Sequence, residues 1–286
     1  MIGNSHCGAF AGLGRCATLL VILAPVVGGT TTVEEDMVWT GGLRSAYFGD
    51  RAITQSDDLI VLEIPDRAED AAIVPISITA QIPQTDEHYI QTIYVFIDKN
   101  PGPLAGTFRF TPKSGRADLA FRVRVNAYTP IRAIAETNDG KLYMSRRFIK
   151  ATGGCSAPAG SDLDAAMARL GKIKLRTNGV LQLAEPAQAQ LMISHPNLNG
   201  LQMDQVTQLY APAHFVRHVK VSFNGEEVFS AETGFGISEN PSFRFFFVPD
   251  SEGELAAEIT DTKGLRFSQT LQVAPTEALG LVSEDM

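Results

Sequence analysis

The sequence predicts an all-β chain built as two β-sandwich domains in series. Three observations carry this. Strand-length runs rich in β-branched and aromatic residues recur at short intervals, separated by turns containing glycine, asparagine or aspartate. The length of 286 residues, 44% of them hydrophobic, exceeds what one small core needs. The texture also changes once, at "ATGGCSAPAG" (residues 151–160), where a cysteine lies among glycines, serine and proline and a helix-like run follows.

In chain order, residues 1–29 read as a signal peptide. A sparse head carrying Arg15 leads into the apolar run "CATLLVILAPVVGG" (Cys16 to Gly29). That run is shorter than the about 20 residues a membrane span needs, and Pro25 with Gly28 and Gly29 would interrupt a buried helix or strand. Export is therefore expected, with no membrane anchor. Removing Arg15 would take the net charge from −8 to −8 − 1 = −9.

Residues 30–155 form the first sandwich. Its strands are expected in "LIVLEIP" (Leu59 to Pro65), "AIVPISITAQIP" (Ala72 to Pro83), "YIQTIYVFID" (Tyr89 to Asp98), "GTFRF" (Gly106 to Phe110) and "LAFRVRVNAY" (Leu119 to Tyr128). In the last of these Phe121, Val123 and Val125 alternate with Arg122, Arg124 and Asn126, so the second set should face away from the core. A closing hairpin turns at Asn138-Asp139-Gly140 and runs into the glycines. Residues 156–186 read as a linker with one short helix, "SDLDAAMARLGKI", capped by Ser161 and stopped by Gly171. Residues 187–275 form a second sandwich with turns at Asn224-Gly225 and Thr262-Lys263-Gly264, and residues 276–286 a loose tail.

Charge and motifs narrow the function. Acidic and basic residues are interspersed, and there is no basic patch with interleaved aromatics, so nucleic acid is excluded as a partner. There is no GxGxxG, Walker loop or CxxC, and no cofactor is implied. His214 and His218 share a strand face about 13 Å apart at ~3.3 Å per residue, too far for one ion. They and His195 are read as partly exposed, with no metal site. Phe243, Phe245 and Phe247 alternate as core or interdomain packing.

Cys7 and Cys16 belong to the leader, which leaves Cys155 as the one thiol of the mature chain and excludes an internal disulfide. Its glycine, serine and proline neighbours offer little apolar surface, so the reading is an exposed thiol on a flexible arm formed by Gly153 and Gly154. Arg146, Arg147 and Lys150 just before it would lower the thiol pKa, unless they form an ordinary solvated strand face.

Several of these segments resemble a known family. "RRFIKATGGC" (Arg146 to Cys155) resembles the end of SoxY, the sulfur-carrying subunit of the periplasmic Sox thiosulfate-oxidising system, as do "LEIPDRAEDAAIVPI" (Leu62 to Ile76), "DKNPGP" (Asp98 to Pro103) and "DGKLY" (Asp139 to Tyr143). The second block resembles SoxZ through "ISHPNLNG" (Ile193 to Gly200), "PAHF" (Pro212 to Phe215), "NGEEV" (Asn224 to Val228), "SENP" (Ser238 to Pro241) and "DTKG" (Asp261 to Gly264). The chain is most similar to the fused SoxYZ-like carriers associated with quinoprotein dehydrogenases.

The resemblance implies two immunoglobulin-like sandwiches paired in cis and a periplasmic location. It also implies Cys155 as the covalent attachment point for a sulfur intermediate, with Gly153 and Gly154 as its arm. Partners would be Sox-type enzymes, a cytochrome c or a quinoprotein dehydrogenase, and the chain itself would not be an enzyme. One departure stands out: the arm is internal, and Ser156-Ala157-Pro158 replaces the family's terminal Gly-Gly. Two alternatives remain. The chain could be a docking module for a dehydrogenase or cytochrome with Cys155 unused, or a thiol hydrolase, which would need a histidine beside Cys155.

Overall fold

A computed structural model describes residues 36–158, 163–203 and 208–276. The expected signal peptide, the Ser161 helix cap and nearly all of the tail lie outside the described residues.

The period-two alternation of the sequence is realised as fifteen strands among the described residues. The first half contributes β1 (Ile53–Gln55), β2 (Ile60–Glu63), β3 (Val74–Ala80), β4 (Ile90–Ile97), β5 (Leu104–Phe110), β6 (Leu119–Val123), β7 (Thr129–Thr137) and β8 (Leu142–Ile149). The second contributes β9 (Ile173–Thr177), β10 (Ala187–Ile193), β11 (Val216–Phe223), β12 (Glu226–Thr233), β13 (Ser242–Phe247), β14 (Gly253–Asp261) and β15 (Arg266–Val273). The strands form a nine-stranded sheet, β1-β8-β7-β4-β5-β12-β11-β14-β15, and a six-stranded sheet, β2-β3-β6-β13-β10-β9. Apart from the parallel pair β1 and β8, neighbouring strands run antiparallel.

Both sheets therefore run through from one half to the other. In the large sheet β5 pairs with β12 from Gly106↔Thr233 to Phe110↔Phe229. In the small sheet β6 meets β13 at Ala120↔Arg244. The inward faces share one hydrophobic cluster in which Phe108, Phe110 and Phe121 of the first half interlock with Phe229 and Phe243 of the second. Phe245 stacks on Phe229 with ring centroids 4.8 Å apart, and Phe247 packs on Phe223. Phe243, Phe245 and Phe247 are fully buried, as their alternation predicts.

The turns follow their residues. Asn224 and Gly225 both adopt positive φ, 49° and 86°, which matches the right-handed twist of the β11–β12 hairpin. Gly140 and Gly264 take the left-handed position in the turns before β8 and β15. The linker helix is α2 (Leu163–Ala168), with Gly171 at φ 77° just beyond it.

Besides the short edge strand β1, two elements were not legible as such. Residues Trp39–Leu43 form a kinked helical turn that continues into α1 (Arg44–Phe48) and covers the outer face of the large sheet. There Trp39 and Phe48 bury against Phe96, Ile134, Leu142 and Met144. Arg132, buried in the same place, grips both Asp98 carboxylate oxygens through Nε at 3.1 and 3.0 Å and lies 4.8 Å from the Trp39 ring. The second element is β9, which falls in the stretch expected as linker and pairs antiparallel with β10 from Ile173↔Ile193 to Thr177↔Ala189.

Candidate functional site

Cys155 sits where the two halves meet. It follows β8, and the chain folds back so that Gly153 N–H donates to the Asn126 carbonyl and Gly154 N–H to the Val125 carbonyl, each at 2.9 Å. Those carbonyls lie just past the end of β6, in a stretch that Asn100 holds by accepting from Asn126 N–H and donating Nδ2–H to the Arg124 carbonyl. From the second half, Asn199 donates its Nδ2–H to the Cys155 carbonyl at 2.7 Å.

The exposed-arm expectation is thereby corrected: the Cys155 side chain is fully buried. The local residues do not cover it. The tertiary structure does: the loop after β2, the end of β6 and the Asn199 loop close on the backbone of Gly154 and Cys155. The glycines serve close approach. A Cβ on Gly154 would stand 1.9 Å from the Ala71 carbonyl oxygen, which itself accepts from Val125 N–H. Gly153 adopts φ 79°, a backbone position that favours glycine. In this conformation the two are the seat of a docked segment and not a free arm.

The electrostatics are corrected as well. Burial pushes the Cys155 thiol up to about 11, against a smaller lowering by Arg124. The cations expected to activate it are engaged elsewhere: Arg146 pairs with Asp36 at 3.1 Å and Arg147 with Asp57 at 2.7 Å. The cation that acts on the thiol is Arg124, which strand alternation had assigned to the outside. It is 1% exposed. β6 ends at Val123, and beyond it Arg124 N–H donates to the Gly236 carbonyl, so a loop of the second half holds the Arg124 backbone. Nη1 reaches the Gly154 carbonyl at 3.4 Å, whereas Nε and Nη2 have no hydrogen-bond partner among the described residues. Burial holds Arg124 below the usual guanidinium range, opposed by Glu239, Cys155 and Asp70.

The histidines are also corrected. His195 and His214 are buried, with ring centroids 4.7 Å apart, while His218 on β11 is exposed. His214 Nε2 lies 2.6 Å from Asp261 Oδ2, and His195 Nε2 lies 3.6 Å from the same oxygen. Asp261 Oδ1 accepts the amides of Lys263 and Leu265. Burial alone would raise Asp261, but His214 and those amides outweigh it and hold the carboxyl below its usual range. His195 is pushed down to about 4, first by burial and then by His214.

The trio has the composition of a metal site, but its hydrogen bonds oppose that use. Asn197 N–H donates to His195 Nδ1 at 3.0 Å, so the ring proton is on Nε2, the atom that faces Asp261. A ligating Nε2 would have to lose that proton. The cluster instead fastens the root of the loop that carries Asn199. Neither buried histidine bonds to Cys155, so the pairing a thiol hydrolase requires is not formed. A groove of ≈ 970 Å³ lies on the outer face of the small sheet among Arg122, Lys174 and Arg244, and Cys155 does not line it.

Two family models match the chain in series. The family model for sulfur oxidation protein SoxY matches residues 44–155, and that for sulphur oxidation protein SoxZ matches residues 176–272. The chain belongs to the fused SoxYZ-like sulfur carriers. The SoxY match ends on Cys155 itself. Among solved structures, the sulfur carrier protein SoxY from Chlorobium limicola f thiosulfatophilum is 24% identical and covers 42% of this chain and 99% of its own, with a TM-score of 0.35. A putative superoxide reductase from Thermotoga maritima is 24% identical over 35% of this chain and 95% of its own, TM-score 0.30. A glycosyl hydrolase family 2 member from Bacteroides cellulosilyticus is 12% identical over 74% of this chain and 28% of its own, TM-score 0.22. No curated protein matches. Among the described residues no helix is long and apolar enough to cross a membrane.

Proposed function

We propose that this SoxYZ-like chain carries a sulfur intermediate covalently on Cys155 in the periplasm and presents it to Sox-type enzymes. A cytochrome c or quinoprotein dehydrogenase would take the electrons. The SoxY–SoxZ pairing is supplied in cis, a reading supported by the β5–β12 strand pairing and the shared phenylalanine cluster.

The observation that carries the proposal is the position of Cys155. It is the one cysteine among the described residues, ends the SoxY match, and is held by both domains at once. The segment from Thr152 to Cys155 is held by five hydrogen bonds among the described residues, each contributing about 1 kcal/mol, so it opens at a cost of a few kcal/mol. Docked, the thiol is protonated and shielded from oxidants; opened, it regains ordinary thiolate chemistry. A partner that binds the opened segment would select that state.

Intact mass of protein recovered from its native host tests this. Sulfur-containing increments on the Cys155 peptide, abolished in Cys155→Ser without loss of fold, are the expected result. Unchanged adducts and electron flow in Cys155→Ser would instead favour the docking-module reading, to which the buried thiol lends support.

A further inference from the structure

A buried guanidinium is costly unless its N–H groups are satisfied, and interior arginines are accordingly found with carboxylates or carbonyls around them. Arg132 of this chain shows the ordinary solution, with Asp98 accepting from Nε and Nη2 on one edge of the fork. Arg124 is as deeply buried, and the same edge of its fork faces no acceptor. The one hydrogen bond its guanidinium makes among the described residues, at 3.4 Å, goes to the carbonyl of Gly154, the residue that precedes Cys155. Glu239 and Asp70 act on it electrostatically without hydrogen-bonding to these donors.

Nε–H and the adjacent Nη2–H point the same way, about as far apart as two oxygens of a carboxylate, phosphate or sulfonate. Two unpartnered parallel donors on a guanidinium whose Nη1 already bonds the carbonyl preceding Cys155 fit an oxyanion attached to that thiol. Resting on the carrier reading above, we propose that Arg124 is an anion-binding residue of the docked site. Its Nε–H and Nη2–H groups receive the oxygens of an S-sulfonate or thiosulfonate carried on Cys155. A charged cargo would then complete the hydrogen bonding that the unloaded site lacks, and the docked state would favour loaded over unloaded protein. An uncharged adduct of similar size would have no such advantage.

Two arms test this. In the first, thiosulfate binding to full-length Cys155→Ser is measured by calorimetry against sodium chloride at matched ionic strength. A charge-assisted hydrogen bond lost from a buried site is worth about 1.5–3 kcal/mol, so adding Arg124→Met should weaken thiosulfate roughly 10- to 100-fold. Arg124→Lys, which keeps the charge but not the fork, should fall between. In the second arm Cys155 is loaded at alkaline pH. Tetrathionate gives the thiosulfonate, the thiolate attacking a central sulfur and expelling thiosulfate; methyl methanethiosulfonate gives the neutral methyl disulfide and expels methanesulfinate.

The anionic adduct should melt at or above the neutral one with Arg124 present, and below it in Arg124→Met. Equal thiosulfate affinity with and without Arg124, or an adduct order that does not depend on it, overturns the assignment. Should Arg124→Met fail to fold, Arg124→Lys carries both comparisons. The carrier reading fails separately: native-host protein without sulfur adducts would discard it, even where thiosulfate binding depends on Arg124.

Discussion

At the scale of single residues, Cys155 shows how far composition misleads about burial. Its sequence neighbours are glycine, serine, alanine and proline, and from them an exposed thiol follows. Yet what buries a side chain is whatever the fold brings around it, and here Ala71, the end of β6 and the Asn199 loop close on the backbone of Gly154 and Cys155. Arg124 misleads in the same way: the alternation correctly buries Phe121, Val123 and Val125, but β6 ends at Val123, and Arg124 just beyond it is buried as well. The pairing of the two was not legible, although the resemblance carried Cys155 itself.

The thiol's pKa of about 11 makes a prediction with a definite sign. The unfolded chain loses this proton near the ordinary thiol value and the folded chain about two units higher, so the stabilisation is complete below about pH 9 and is lost as pH rises towards 11. At about 1.4 kcal/mol per unit, the loss approaches 3 kcal/mol. Denaturant titrations of wild type and Cys155→Ser at pH 8 and pH 11 should diverge by about that amount, and native thiol labelling should accelerate about tenfold per pH unit across the window. Parallel curves for the two proteins would contradict the buried thiol.

At the scale of elements, legibility tracked how local the determinants are. The Asn138-Asp139-Gly140, Asn224-Gly225 and Thr262-Lys263-Gly264 turns fold from their own dihedral preferences, and each hairpin stands where its turn residues put it. The Trp39–Phe48 helical segment was missed because Gly41 and Gly42 interrupt it, and it is held by burial of Trp39 and Phe48 on the large sheet. β9 was missed because five residues alternating with lysine and arginine read as linker until β10 pairs with them.

The loop 195–203 depends on the His195–His214–Asp261 cluster at its root, and this also gives a pH signature. His195 protonates near 6.5 in the unfolded chain but near 4 when folded, so its contribution is complete above pH 6.5 and is lost as pH falls to 4, by about 3 kcal/mol. His195→Gln retains an acceptor for Asn197 N–H without the titration. It should flatten the acid limb of the stability profile, and hydrogen exchange at Asn199 and Leu201 should lose its steep acid dependence. A variant whose acid limb matches wild type would show that other groups set it.

At the scale of the whole molecule, the sequence conveys two β-rich blocks but not that their sheets are continuous. No periodicity or turn signal reports that β5 will accept β12, because the pairing joins strands more than a hundred residues apart. The consequence is cooperative. Separating the halves would expose two unpaired strand edges and a phenylalanine cluster with members on both sides. Each half alone would therefore lose both backbone pairing and apolar burial, and the intact chain should unfold in one transition that both halves share. Phe229→Ala tests this at the seam. Phe229 is fully buried against Phe108 and Phe110 of the first half and Phe243 and Phe245 of the second, so truncation should cost about 3–5 kcal/mol. Because the ring belongs to both halves, the loss should appear equally in a reporter from each: Trp39 fluorescence for the first, and amide exchange along β10 for the second. Two separated transitions in wild type, or a Phe229→Ala effect confined to the β10 reporter, would mean that the halves fold as independent units despite their shared sheets.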